Sequence, residues 1–391
     1  MHFAHAGLSP TMIFVFSALG IIPLAALLGL GTEQIAVRTS MSVGGLLNAT
    51  LGNVVEMIIA GIALNKCELE LVQSSLLGGL LSNLLLVLGM AFVVGGYRFH
   101  QQEFQPMVAQ LNSTLMVAAV LALIVPAAFH GLLENRLAPG TEVDIMLQLS
   151  RGSAIILIMV YIAYLVFQFY SHNHLFLDTS TQLMTLAPSL TRTSSVSTDS
   201  LTRAPSSGSS QYVPPTTHSE ALKLNTPTSL VLLGLTTVLA YITCEALVSS
   251  LDGLVASHPS ISKEFLTLII IPIISNAAEH ATAVVVASKG KFDLAMSVAV
   301  GSCIQIALLV VPVMVLVGWG MGRPLLMSFE LVEVVCLAGA VWLVKGVMEG
   351  GRSHWLNGVV LVAVYVLIAL AFWFFPDGER LVQGVPLVCP L

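Results

Sequence analysis

Charge is what this sequence has least of. Of its 391 residues, 15 are Lys or Arg and 21 are Asp or Glu, 9% in all, against 56% hydrophobic. A soluble domain carries about 25% charged residues, so a water-soluble globule is excluded. A nucleic-acid partner needs a basic surface, and the formal net charge here is −6. Cysteine is scarce as well. Cys67, Cys244, Cys303, Cys336 and Cys389 form no C-x-x-C pair. They read as small apolar side chains rather than disulfide partners or zinc ligands. There is no H-E-x-x-H helix and no G-x-S-x-G elbow, which argues against an intramembrane hydrolase. No Lys or Arg stands between Met1 and Ser9, so the start does not look like a cleaved signal peptide.

Long apolar runs are what the sequence does have. With a mean hydropathy of +0.91, the chain lies in a lipid bilayer. A membrane-crossing helix needs about 20 mostly apolar residues. Runs of that kind fall at 10–30, 41–64, 71–95, 107–128, 153–172, 228–250, 264–288, 294–319, 327–348 and 356–375. Gly44, Gly45, Gly52 and Pro272 fall in the second and seventh runs, where breaks at membrane depth usually line a cavity. One long polar stretch, 173–226, is rich in Ser, Thr and Pro and reads as a disordered linker. It divides a first half, 1–172, from a second, 227–391.

Five crossings per half is an odd number, so the halves enter the membrane in opposite senses, as in transporters with the substrate site at the repeat interface. The halves also match internally. Asn53-x-x-Glu56 aligns with Asn276-x-x-Glu279. Gly79 to Asn83 aligns with Gly301 to Gln305, and Thr32-Glu33-Gln34 with Cys244-Glu245-Ala246. The expected fold is an all-α polytopic membrane protein, ten transmembrane helices arranged as two inverted five-helix repeats. Arg38, Arg98, Lys289, Lys291, Lys345 and Arg352 fall on the linker face together with the linker's own charges. That makes the linker face the cytosolic one.

Asn and Glu three residues apart point the same way on a helix, and a carboxylate at membrane depth is disfavoured by about 2.5–3.5 kcal/mol on insertion scales. Two facing carboxylates, Glu56 and Glu279, are relieved either by protons or by a divalent cation between them. Competition of both for the same oxygens is the core of antiport. Asn53, Asn276, Ser82, Asn83, Ser302 and Gln305 supply hard oxygen donors, which suit Ca2+ better than a soft metal. His280 points about 100° away from Glu279 on a helix and is a gating or proton-linked candidate. Glu33 and Glu245, at matched positions near span ends, are pathway candidates or interfacial carboxylates. Glu330, Glu333 and Asp293 read as interfacial or solvated. No cofactor is implied beyond the transported Ca2+ and protons.

At these motifs the sequence resembles the cation/proton exchanger family, the Ca2+/H+ exchangers of the Ca2+/cation antiporter superfamily. The resemblance runs over nearly all of 10–375 outside the linker. In the first half it is carried by Gly52-Asn53-Val54-Val55-Glu56, Val72 to Gly78 and Leu81-Ser82-Asn83. In the second it is carried by Asn276-Ala277-Ala278-Glu279-His280, Ser288 to Leu294 and Gly301 to Ala307. It implies proton-driven Ca2+ transport into vacuoles, with the two glutamates as the shared metal and proton site. The chain departs from the family in starting at what would be the family's second span, in carrying Ser275 where Gly is usual, and in a linker without a long acidic stretch. The competing readings are a Na+/Ca2+ or Mn2+/H+ exchanger of the same superfamily and, from another class, a passive Ca2+ channel.

Overall fold

The computed structural model describes residues 7–36, 38–39, 44, 47, 50–133, 141–175, 225–375, 381–382, 385–386 and 389. Nearly all of these are helical. In chain order the helices are α1 (Pro10–Ala36), α2 (Val54–Asn65), α3 (Leu69–Arg98), α4 (Pro106–Leu133), α5 (Thr141–Val166), α6 (Thr226–Ser257), α7 (Lys263–Ser275), α8 (Ala277–Ser288), α9 (Phe292–Gly320), α10 (Leu331–Met348) and α11 (Trp355–Trp373). Eight of the described helices are long and apolar enough to cross a membrane, and the bent pair α7 and α8 makes a ninth. The second expected span is described mainly in its last half, α2. Most of 41–49, and nearly all of the linker, lie outside the described residues.

The boundaries move where polar residues continue a helix beyond the apolar run. α5 begins at Thr141 rather than near 153, carrying Asp144, Gln148, Ser150 and Arg151 on its first turns. α6 runs on to Ser257, so Glu245 sits inside the helix and not near its end. The ninth span begins at Leu331, because Leu325, Leu326, Met327 and Phe329 ahead of it fold inward as irregular chain and are buried. Glu333 is accordingly not interfacial. It is fully buried, and its carboxylate accepts the Glu330 N–H at 3.0 Å in a capping box that starts α10.

The inversion is visible in how equivalent elements meet. α1 and α6, the first helices of the two halves, pack antiparallel: Pro10 lies against Gly253, Gly20 against Thr243 and Gly31 against Leu233. The equivalent turns lie on opposite faces. The α2–α3 turn receives Arg323 on the Asn65 carbonyl and Lys263 on Glu68, on the face away from the linker. The α8–α9 turn is instead met by Arg98, which donates to the Ser288 carbonyl. On that same face Gln102–Glu103 pairs with Arg352–Ser353.

α3 and α9 form the centre. In their most apolar windows 78% and 72% of residues are buried, against 28% for both α1 and α6. The peripheral helices turn Phe16, Leu19, Val231 and Leu235 outward, as lipid-facing helices do. The central ones pack backbone to backbone. A Cβ on Gly78 would lie 2.0 Å from the Leu268 carbonyl oxygen, so α3 and α7 can approach this closely only with glycine there.

One sequence expectation is corrected here. Cys67 and Cys389 are bonded as a disulfide with Cα atoms 6.2 Å apart, across 322 residues of sequence. Spacing along the chain carries no information about such a pairing. Cys67 sits in the tight α2–α3 turn at φ 64°, the single non-glycine residue of positive φ among the described residues.

Candidate functional site

The site is assembled from two helix breaks and two π-turns, one of each per half. Asn53 and Asn276 are the residues at which the second and seventh spans break. Their backbones are non-helical, at φ −103°, ψ 28° and φ −88°, ψ 9°. The seventh span bends by 54° there, after Pro272, whose carbonyl accepts the Asn276 N–H at 3.0 Å. Each break starts a new helix with a glutamate in its first turn, Glu56 in α2 and Glu279 in α8. The unpaired N–H groups of a helix start favour negative charge nearby, so both carboxylates sit where the backbone favours them. Opposite the breaks, α3 widens into a π-turn at Ser82–Val87 and α9 at Ile306–Val310. Such turns are frequent at functional sites. Here they place Ser82 and Asn83 at the start of one turn and Gln305 just before the other.

These side chains meet across the repeat interface. Asn83 Nδ2 donates to Glu279 Oε2 at 3.1 Å and to Ser302 Oγ at 3.2 Å. Ser302 Oγ lies 3.0 Å from Glu279 Oε1 and 2.9 Å from Asn53 Oδ1. Asn53 Nδ2 donates to Gln305 Oε1 at 2.7 Å. Glu56 is buried, takes a hydrogen bond from Ser275, and is close enough for its charge to act on Glu279. His280 Nδ1 is 2.6 Å from the Asn276 carbonyl oxygen. A carbonyl only accepts, so Nδ1 carries the proton and Nε2 of the neutral ring is left to accept from Ser82 Oγ at 3.4 Å.

Of the residues expected from the sequence, Asn53, Glu56, Ser82, Asn83, Asn276, Glu279, His280, Ser302 and Gln305 therefore come together. Glu33 and Glu245 do not join them. Both are exposed on the flanks of α1 and α6, and because those helices run antiparallel the two lie about 20 Å apart along the axis. Two neighbours were not anticipated as part of the site. Ser275 stood out only as a substitution for glycine, yet it bonds Glu56. Tyr365 of α11 is 3% exposed, with its hydroxyl near Ser82 but without a hydrogen-bond partner. A tyrosine in an apolar run gives no signal of such a place.

Asn83 Oδ1 and both polar atoms of the Asn276 amide are buried without a hydrogen-bond partner. Leaving a buried polar group unpaired costs about 1–3 kcal/mol. Two of these three atoms are amide oxygens, the type of donor that hard cations take. Among the described residues no cluster of three His, Cys, Asp or Glu side chains offers an alternative metal centre.

An all-helical bundle with inverted halves and an acidic, amide-lined site at their interface defines a polytopic membrane transporter. Comparison with known proteins narrows the class. The family described as "Sodium/calcium exchanger protein" matches residues 9–170 and 228–374. The vacuolar calcium ion transporter of Cryptococcus neoformans var. grubii is 39% identical over 95% of this chain and 70% of its own. The Ca(2+)/H(+) antiporter of Synechocystis is 39% identical over 95% of this chain and 93% of its own. The crystal structure of the selenium-substituted Ca2+/H+ antiporter protein YfkE superimposes with a TM-score of 0.72 at 30% identity, covering 95% of this chain and 94% of that one. This chain belongs to the sodium/calcium exchanger family.

Proposed function

We propose that the protein is a Ca2+/H+ antiporter of an acidic compartment, the vacuole by the names of its relatives, and that it carries cytosolic Ca2+ inward in exchange for protons. The carrying observation is the single network formed by both repeat motifs, in which Glu279, Asn83, Ser302, Asn53 and Gln305 are linked and the Asn276 and Asn83 amide oxygens are left open. The ion would be shared by Glu56 and Glu279, with Asn53 and Asn276 beside them.

The geometry supports competition at one place. Ser302 has one O–H and two acceptors within reach, Glu279 and Asn53. With Glu279 ionised, the hydroxyl donates to it. With Glu279 protonated, the carboxylic acid donates to Ser302 and the hydroxyl turns to Asn53. Cation and proton then leave the Asn53–Gln305 side in different states. That difference is what an alternating-access cycle needs in order to bias two conformations. His280, bonded to the Asn276 carbonyl and facing Ser82, would link the break at Asn276 to the π-turn of α3.

Energetics permit the exchange. A thousandfold Ca2+ gradient costs about 4 kcal/mol before membrane potential, and each proton crossing one pH unit returns about 1.4 kcal/mol. The disulfide supports the cytosolic placement of the linker. It lies on the face opposite the linker, and such bonds persist in oxidising compartments.

The test is Ca2+ uptake into proteoliposomes with an acid-inside pH gradient. Uptake abolished by a protonophore, and lost in both Glu56→Gln and Glu279→Gln, supports the reading. Uptake driven by Na+ alone would point to sodium coupling. Current without proton movement would point to a channel.

A further inference from the structure

A cavity of about 260 Å³ opens on the linker face between α4, α5 and the first turns of α9. Leu175 and Gln168, just ahead of the linker, line its outer side, and Gly301 closes its inner end. Gly301 is the residue before Ser302 on the same helix, so the cavity and the network that holds Glu279 share one turn of α9. Its polar wall consists of Gln105, Asn112, Gln168, Asp293 and Ser297. Two of these stand out. Asn112 is 4% exposed, and its Oδ1 has no hydrogen-bond partner. Asp293 is half-buried and belongs to the first turn of α9 rather than to the turn before it. It is held at the start of α9 by the Gln105 N–H, which donates to its Oδ1 at 2.7 Å.

We infer that this cavity is a separate cation station, in which Asn112 and Asp293 hold a partly hydrated divalent ion at the linker face before it passes to Ser302 and Glu279. The inference rests on the proposed cation exchange and adds a site outside the paired glutamates. An amide oxygen left unpaired inside a cavity is unfavourable when the cavity is empty and is satisfied by a hydrated cation. One carboxylate supplies attraction without the tight grip of two, and a route needs a station that the ion can leave. The remaining wall groups, Gln105, Gln168 and Ser297, suit bound water better than bare metal.

The experiment is side-specific kinetics in proteoliposomes, with orientation assigned by protease access to the linker. Asn112→Leu and Asp293→Asn are each expected to raise the KM for Ca2+ presented at the linker face about five- to tenfold. Both kcat and the KM from the opposite face should stay within about twofold, because a station on one side is passed by ions from that side only. Asn112→Asp, which keeps size and adds a charge, should lower the linker-face KM. An unchanged KM in both variants, or a rise that is equal from both faces, overturns the station. If the wild-type protein exchanges no Ca2+ for protons, the functional proposal fails first. The station is then judged by Ca2+ binding to the chain carrying Glu56→Gln and Glu279→Gln. Weak residual binding that Asn112→Leu removes upholds it, and binding indifferent to Asn112 overturns it.

Discussion

The two Asn-x-x-Glu motifs are nearly identical in sequence and unlike in their bonding. Asn53 has partners on both ends of its amide: its Nδ2 donates to Gln305, and its Oδ1 shares the single Ser302 O–H with Glu279. Asn276, its counterpart, is equally buried and its amide bonds nothing. Glu279 takes hydrogen bonds from Asn83 and Ser302, whereas Glu56 takes one from Ser275. The difference traces to three positions. Gln305 replaces the shorter Asn83 and so reaches Asn53. Ser302 stands where the first half has Leu80. His280 stands where the first half has Met57, and its ring takes up the carbonyl of Asn276. Symmetry of fold thus carries asymmetric bonding, with one amide partnered and the other without partners.

That contrast can be broken most severely at the carboxylates. Removing one member of a buried charged group costs about 3–5 kcal/mol, so Glu56→Gln and Glu279→Gln should each reduce Ca2+ uptake by more than about a hundredfold. Substantial uptake by either variant would mean that one half alone holds the ion. The paired amides sharpen the comparison. Asn53→Ala strands Gln305 and Ser302 and should lose about 1–3 kcal/mol of stability, seen as a lower thermal midpoint along with lost transport. Asn276→Ala removes a group with no bonds to lose. Its midpoint should stay unchanged, while the KM for Ca2+ rises about tenfold. Equal melting shifts for the two would refute the asymmetry. Ser302→Ala, which removes the hydroxyl between Glu279 and Asn53, should slow exchange about tenfold. Ser82→Ala, with one 3.4 Å contact to His280, should change it by less than about threefold. The smallest effect belongs to Ser275→Gly, which restores the first half's residue at the break. A rate change of about two- to threefold would fit the loss of one hydrogen bond to Glu56.

Much of this site was legible because polar residues in apolar runs are conspicuous. Asn53, Glu56, Asn83, Asn276, Glu279, Ser302 and Gln305 were all found by their cost at membrane depth and by the internal repeat. The length of the apolar runs also gave the helices. What it could not give were features that depend on distance in space. The Cys67–Cys389 bond joins residues with no motif in common. Glu333 looked interfacial because it opens a span, yet it is fully buried, as are Leu325, Leu326, Met327 and Phe329 ahead of it. Asp293 looked solvated because Lys289 and Lys291 precede it, yet it lines a cavity. Glu33 and Glu245, read as pathway candidates or interfacial carboxylates, lie apart from the cluster. They match in the repeat and in facing outward from α1 and α6.

The Cys67–Cys389 bond also changes what the chain is as a covalent object. Between those two residues lie most of the first half, the whole linker and the second half, so sulfur closes the polypeptide into a ring. A single cut within 173–226 opens the ring without producing two pieces. A nicked protein would migrate as one band until a thiol reductant separates its halves. The long polar segment is therefore free to be cleaved without either half, and its share of the site, being lost to the other.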